Sequence, residues 1–271
     1  MSDHAQVTLL AVKLLLAPTF VVGASLGARR FGVHVGGLLG GLPVVAGPIL
    51  FAYALAHGRA FAADAAAGTL LGLVSLIAFV VVYARLAGHL SWLASMLVGW
   101  LAFATSTAIF SLLSLPLGAA LGVVVLALAL GLAVLPRPAA GLPIHASAPT
   151  WDLPLRAACA AALVVSLTAI AGWLGPQLSG LLAPFPIIAT VLAIFTHAQR
   201  GTDELRRLLR GLLSGFGAFA LFCLALSLAL RRMDIGVAFV LATATALLVQ
   251  ALVLALVREQ PLAPARGRIA Q

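Results

Sequence analysis

The side chains that most often carry out chemistry are scarce and scattered in this sequence. Its 7 acids, 6 histidines and 2 cysteines form no acid pair within a hydrophobic segment, no Cys/His cluster and no Walker-type phosphate loop. Cys159 and Cys223 lie in apolar stretches, as buried free thiols do. His57 and His197 have no ligand partner at helical spacing, which favours interfacial side chains. The sequence therefore predicts no catalytic residue, no metal site, no cofactor and no enzyme.

Prolines and glycines clustered inside two hydrophobic segments are the strongest candidates for a binding site. A proline lacks a backbone donor and frees a carbonyl, which few apolar segments tolerate in a bilayer. Helices broken at matching places in two halves of a chain are typical of a transporter's central site, whereas simple kinking and tight packing is the alternative. The candidate residues are Gly40, Gly41, Pro43, Pro48, Pro184 and Pro186.

Two charged residues near hydrophobic segments are further candidates for substrate binding. Lys13 interrupts an apolar run, where a lysine costs a few kcal/mol unless its stem reaches the interface. Asp64 is expected in the first turn of its helix, where the helix dipole favours an acid. The alternative for Lys13 is a role facing an anion, and the alternative for Asp64 is pairing with Lys13, since both lie at the outer end of neighbouring spans. Arg156 aligns with Lys13 in the repeat described below and is expected to extend to the opposite interface.

Three arginines recur at helical spacing after Thr202, a possible N-cap. Arg206, Arg207 and Arg210 follow two acids, and the pattern predicts either a topology anchor near anionic headgroups or a phosphate or lipid-headgroup contact.

The composition decides what kind of protein must position these residues. Hydrophobic residues make up 63% of the 271 positions and charged residues 8%, against about 25% in a soluble domain. The mean hydropathy is +1.18. The outer surface therefore has to face lipid, and the fold class is an all-α integral membrane protein. The net charge of +9 lies between hydrophobic segments, which argues against a nucleic-acid partner.

A transmembrane helix needs about 20 apolar residues, and the chain offers about nine such segments. The predicted domains are a four-helix repeat at 1–112, a connector helix and linker at 113–150, a second four-helix repeat at 151–257, and a disordered cytoplasmic tail at 258–271. The segments are 8–27, 34–57, 61–84, 90–112, 116–135, 153–174, 177–198, 206–230 and 235–257.

Basic residues are unevenly divided between the two predicted sides of the membrane. With nine spans, 12 of them lie on one side and Arg59, Arg231 and Arg232 on the other. The positive-inside rule then places the N-terminus outside and the C-terminus in the cytoplasm, in a bacterial inner membrane.

The chain also resembles itself at an offset of 143 residues. Between 36–72 and 179–215, 9 of 37 positions are identical, including Pro43/Pro186 and Gly58/Gly201. Corresponding spans are five apart, an odd number, so the two halves would cross the membrane in opposite directions. The sequence thus predicts a 4+1+4 inverted-topology repeat, with the fifth span as the connector.

The stretch from Ser179 to Pro186, followed by Asp203-Glu204-Leu205-Arg206-Arg207, is similar to the GlpM-like family of small bacterial inner-membrane proteins. Members of that family have a Gly-Leu-x-x-x-Phe-Pro stretch before an acidic-Leu-Arg helix start. Because they are typically half this length, the chain resembles a tandem fusion of two copies. The resemblance implies a link to envelope polysaccharide production but no established activity.

Two functions remain open from the sequence. The first is a small transporter or flippase for a small molecule or an anionic lipid, with its site at the paired breaks. The alternative is a non-transporting membrane scaffold for envelope polysaccharide or lipid metabolism. The expected partners are the bilayer and, for either function, a second copy of the chain.

Overall fold

The structure is a computed structural model that describes residues 3–113, 115–139, 149–166 and 185–258. Within these ranges every regular element is a helix and no strand occurs, which confirms the all-α class. The elements are α1 (Asp3–Phe31), α2 (Val33–Gly40), α3 (Ala46–His57), α4 (Arg59–Leu86), α5 (Trp92–Ser111), α6 (Leu117–Val134), α7 (152–166), α8 (Ile187–Leu230) and α9 (Ile235–Arg258).

Five of these helices, α4, α5, α6, α8 and α9, are long and apolar enough to cross a membrane. The most apolar windows of α5, α6 and α9 are only 22%, 17% and 22% buried, and they expose residues such as Leu101, Leu126 and Leu248. Apolar side chains on the outside are stable only against lipid. The chain is therefore a membrane-embedded protein, with α4 and α8 at its centre.

Helix α8 is interrupted at Gly201. Its 44 residues would extend about 66 Å if straight, twice the thickness of the hydrocarbon core. Gly201 has φ 79° and ψ −177°, a backbone conformation that only glycine adopts easily. We name its two parts α8a (187–200) and α8b (202–230). Gly58, which lies between α3 and α4, has nearly the same conformation, with φ 86° and ψ 172°.

Helices α4 and α8b lie side by side and run in opposite directions. At one end, the hydroxyl of Thr202 donates to the carbonyl of Ala87 over 3.1 Å. At the other end, Arg59 donates to the carbonyl of Met233 over 2.9 Å. We call the end with Ala87 and Thr202 the basic rim, because most arginines lie there, and the end with Arg59 and Met233 the opposite rim.

The short helix α2 packs directly on α8b. A methyl group added to Gly37 would overlap the carbonyl oxygen of Leu208, and one added to Gly211 would overlap that of His34. Gly41 and Gly215 meet in the same way one turn further along. These glycines have an ordinary backbone conformation, so their role is to let the two backbones touch.

The helix boundaries can be compared with the nine predicted segments. Helices α4, α5, α6 and α9 coincide with four of them within a few residues. Segment 34–57 contains two helices, α2 and α3, separated by residues 41–45. Segment 177–198 is described only from residue 185, and the predicted tail lies outside the described residues.

Candidate functional site

The chain leaves the helical path at Pro43, between α2 and α3. The N–H of Val44 donates to the carbonyl of Leu42 over 2.9 Å, an i to i+2 contact that no α-helix makes. In a continuous helix that N–H would pair with the carbonyl of Gly40. The break therefore leaves the carbonyl of Gly40 without its helical partner. The N–H of Gly47 donates to the carbonyl of Pro43 over 2.8 Å, at the start of α3.

The chain makes the same turn at Pro186, just before α8a. The N–H of Ile187 donates to the carbonyl of Phe185 over 2.8 Å, and the N–H of Thr190 donates to that of Pro186 over 2.8 Å. Pro186 has φ −76° and ψ 56°, close to an inverse γ-turn. Both hydrogen bonds join residues that lie 143 positions after the residues joined by the two hydrogen bonds of the first break.

A cavity of about 50 Å³ lies where the two breaks meet. Its lining includes five pairs of residues that are 143 positions apart: Leu42 and Phe185, Pro43 and Pro186, Val45 and Ile188, Ala46 and Ala189, and Leu76 and Phe219. A space of this size holds a few water molecules. Its side chains are apolar, so the polar groups that it offers are those of the broken backbone.

The cavity lies about midway between the two rims. Helix α3 leads from the first break to the opposite rim over 12 residues, or about 18 Å. Helix α8a leads from the second break to the basic rim over residues 187–200, or about 21 Å. Each break is thus separated from its own rim by a little more than half of the hydrocarbon core.

Aromatic side chains close the cavity on the side of α5. Phe185 contacts the rings of Trp100 and Phe103 edge to face, with centroid distances of 5.2 and 5.5 Å. The indole N–H of Trp100 donates to the hydroxyl of the buried Thr190 over 3.0 Å. The indole donor is therefore satisfied within the protein, and the ring positions the second break.

A buried ionic cluster lies at the basic rim, on the path from the cavity along α8a. Asp152, which is 1% exposed, accepts hydrogen bonds from Arg29 at 2.7 Å and from Gln199 at 2.7 Å. Arg156 donates to both of its oxygens, at 2.9 and 3.0 Å. The guanidinium of Arg156 also lies 4.7 Å from the centre of the Phe195 ring. One carboxylate thereby joins α1, α7 and α8a.

Asp152 stays ionised in this cluster. Burial alone would raise the pKa of its carboxyl group, but hydrogen bonds from Arg29 and Gln199 and the charge of Arg156 hold that pKa below its ordinary value. The sequence analysis missed Asp152, whose only local signal is an Arg four residues later on the same helix face. Arg156 was expected to extend to the interface; it lies at the basic rim but is only 4% exposed, because it pairs with Asp152 inside the protein.

No protein-family model, curated protein or solved structure matches the chain. The resemblance to the GlpM-like family therefore stays a prediction.

The structure brings together three of the predicted substrate-binding residues, Gly40, Pro43 and Pro186, which all line the cavity. Gly41 packs against the backbone of Gly215 instead, and Pro48 lies in the first turn of α3, where proline is tolerated. Pro184 and the side chain of Lys13 lie outside the described part of the chain.

Asp64 lies away from the cavity, at the opposite rim. Its carboxylate pairs with Arg231 at 2.7 Å, and its side chain is 73% exposed. Helix α4 begins at Arg59, so the expectation that Asp64 occupies the first turn was wrong by about one turn.

The predicted lipid-contacting arginines make contacts within the protein. Arg206 pairs with Asp203 and Arg207 with Glu204. Arg210 donates to the carbonyl of Leu135 over 2.7 Å, so it fastens α8b to the end of α6. Thr202 was a possible N-cap, but its hydroxyl donates to Ala87. Both cysteines are free, and within the described ranges no three His, Cys, Asp or Glu side chains could share a metal ion.

Proposed function

We propose that this chain is a small transporter or flippase of a bacterial inner membrane and that its substrate passes through the cavity between the breaks at Pro43 and Pro186. The observation that carries the proposal is the recurrence of one turn, with the same two hydrogen bonds, on both sides of one cavity that lies between the two rims. Scaffolds have no need of paired breaks around a cavity, whereas alternating access depends on them.

The predicted 4+1+4 inverted repeat is part of this proposal, and two features of the helices agree with it. Helices α4 and α8b occupy equivalent places in the two predicted halves and run antiparallel. Gly58 and Gly201, also equivalent, share a positive φ at the two helix junctions. An inverted pair of halves gives a site two equivalent routes, one to each rim, which is the geometric requirement for alternating access.

The cavity favours a substrate with an apolar part. Its side chains offer no charge, and Leu76 and Phe219 extend the apolar lining. A polar group of the substrate could pair with backbone carbonyls such as that of Gly40, which the break frees. A small amphipathic molecule or an anionic lipid fits this combination. The cavity of about 50 Å³ is then the closed form of a larger passage.

The scaffold alternative requires arginines at the basic rim that are available to a partner or to lipid. Arg206 and Arg210 have internal partners, Asp203 and the carbonyl of Leu135. Their contacts are those expected of residues that fasten α8b to its surroundings. This observation favours transport over the scaffold role, with the basic rim at the cytoplasmic face.

The proposal can be tested in proteoliposomes with two anionic probes. Fluorescent phosphatidylglycerol reports movement between leaflets, and radiolabelled octyl phosphate reports uptake. We expect the full chain to accelerate at least one of them over protein-free liposomes. Replacing both prolines, in Pro43→Ala/Pro186→Ala, should remove most of the acceleration because alanine no longer enforces the turn on either side of the cavity.

A matched control separates this effect from a general loss of structure. Pro18→Ala also removes a proline from inside a helix, α1, but this proline does not line the cavity. It should leave the probe fluxes unchanged. Equal rates for the wild type and the Pro43/Pro186 double variant, in correctly folded samples, would contradict the transport proposal.

A further inference from the structure

The Asp152 cluster has no counterpart in the other half of the sequence. The residues 143 positions before Asp152 and Gln199 are Leu9 and Ala56, which offer neither a carboxylate nor an amide. Only Arg156 has a basic equivalent, Lys13. If the two halves provide the two routes to the cavity, as proposed above, then among the residues that the structure describes only the route at the basic rim has this buried ionic contact.

The cluster also contains more positive than negative charge. Asp152 is shared by two guanidinium groups, those of Arg29 and Arg156, and Arg200 follows Gln199 directly. Buried charge without full compensation is costly. A second anion would relieve that cost, and the forked guanidinium groups match the oxygens of a carboxylate or phosphate.

The three joined helices include the one that leads to the cavity. Gln199 and Phe195, which hold Asp152 and Arg156, lie on α8a, whose other end begins at the Pro186 break. Arg29 lies in the last turn of α1, and α2 leads from the end of α1 to the Pro43 break. Separation of α1 and α7 from α8a at the rim would open a path along α8a into the cavity.

We propose that the Asp152 cluster is an anion-operated gate at the basic rim, opened when the phosphate or carboxylate of an amphipathic substrate replaces Asp152 on Arg29 and Arg156. The gate rests on the proposed transport function. In the closed form, the carboxylate of Asp152 binds Arg29 and Arg156 in the place that the anionic group of the substrate takes in the open form. The apolar part of the same molecule then fits the apolar cavity.

The test is a distance measurement in nanodiscs on the full chain. Spin labels are placed at Ala198→Cys on α8a and Leu155→Cys on α7, both exposed, after Cys159 and Cys223 are replaced by Ala. Asp152→Asn should increase the population with a longer distance between labels more than tenfold, because a tenfold change requires only about 1.4 kcal/mol. Arg29→Gln, at a partly exposed position that tolerates substitution, should act in the same direction.

Asp234→Asn is the matched control, since it removes an acid that is 94% exposed at the opposite rim. It should leave the distances unchanged. In the wild type, octyl phosphate should produce the longer distance, whereas the neutral octyl glucoside should not. Inorganic phosphate is added separately. If it lengthens the distance as much as octyl phosphate does, free anions open the gate; if it leaves the distance unchanged, only amphipathic anions open it.

The gate would be overturned if well-folded Asp152→Asn and Arg29→Gln proteins keep the wild-type distance. It would also be overturned if neither phosphate compound changes the distance. Because these distances do not depend on flux, the gate and the transport proposal fail separately. A responsive gate without probe movement contradicts transport alone, and probe movement with an unresponsive rim contradicts the gate alone.

Discussion

At the basic rim Asp152 lies buried among three donor side chains, whereas at the opposite rim Asp64 meets Arg231 with both side chains more than half exposed. Asp234, also at the opposite rim, is 4.0 Å from Arg59. Exposed pairs of this kind contribute little, because water and salt screen them. Buried ion pairs behave differently: each partner depends on the others to compensate for lost hydration. In the described part of the chain, one rim therefore has a buried ionic cluster, whereas the ion pairs of the other rim are exposed.

The largest effect should come from removing the buried carboxylate. Asp152→Ala leaves Arg156 buried without its counter-ion, and breaking such a pair costs about 3–5 kcal/mol. We expect a large fall in the thermal unfolding midpoint of the detergent-solubilised protein. Asp234→Ala, measured alongside, should change it by no more than the experimental error. Equal small shifts for the two variants would remove the distinction between the rims.

The second largest effect should come from lowering the pH, because it protonates the buried carboxylate of the basic rim. The pKa of Asp152 is lower in the folded protein than in the unfolded chain, so its stabilising contribution is complete above about pH 4, the ordinary value for Asp. That contribution is lost as the pH falls through the lower, folded pKa. The unfolding midpoint of the wild type should therefore decline below pH 4 more steeply than that of Asp152→Asn. Parallel curves would show that this carboxylate is not held by its partners.

The smallest effect should come from the exposed pair. Asp64→Ala and Arg231→Ala should each lower stability by at most about 1 kcal/mol, because an exposed ion pair is worth little. Salt at about 0.5 M should remove most of the difference in stability between these variants and the wild type, because it screens the charges. The thermal unfolding midpoints of the variants and the wild type at low and at high salt measure this difference. A salt-independent loss at Asp64 would indicate that the opposite rim is held by more than an exposed contact.

The breaks could be predicted from sequence because their causes are local. A proline lacks its N–H wherever it lies, and glycine alone adopts the positive φ seen at Gly58 and Gly201. The repeat offset of 143 residues pairs Pro43 with Pro186, and both prolines line the same cavity.

The ionic cluster could not be predicted in this way, because its partners come from distant parts of the chain. Arg29 lies 123 positions from Asp152, and Gln199 lies 47 positions away. Asp64 shows the same limit: its partner, Arg231, is 167 positions along. Charge patterns report which residues share a helix face, but these pairings depend on how helices pack.

The glycine contact between α2 and α8b determines which parts of the molecule can move together. With the backbones touching at Gly37 and Gly211, the two helices have no side-chain layer over which to slide. The amide of Gln250 on α9 further ties α2 to its neighbours by donating to Leu38 over 2.7 Å. Helices α2, α8b and α9 thus form one rigid body, assembled from both halves of the sequence. Motion at the Pro43 break would swing α3 against this body, so the parts that move together would not coincide with the predicted repeats.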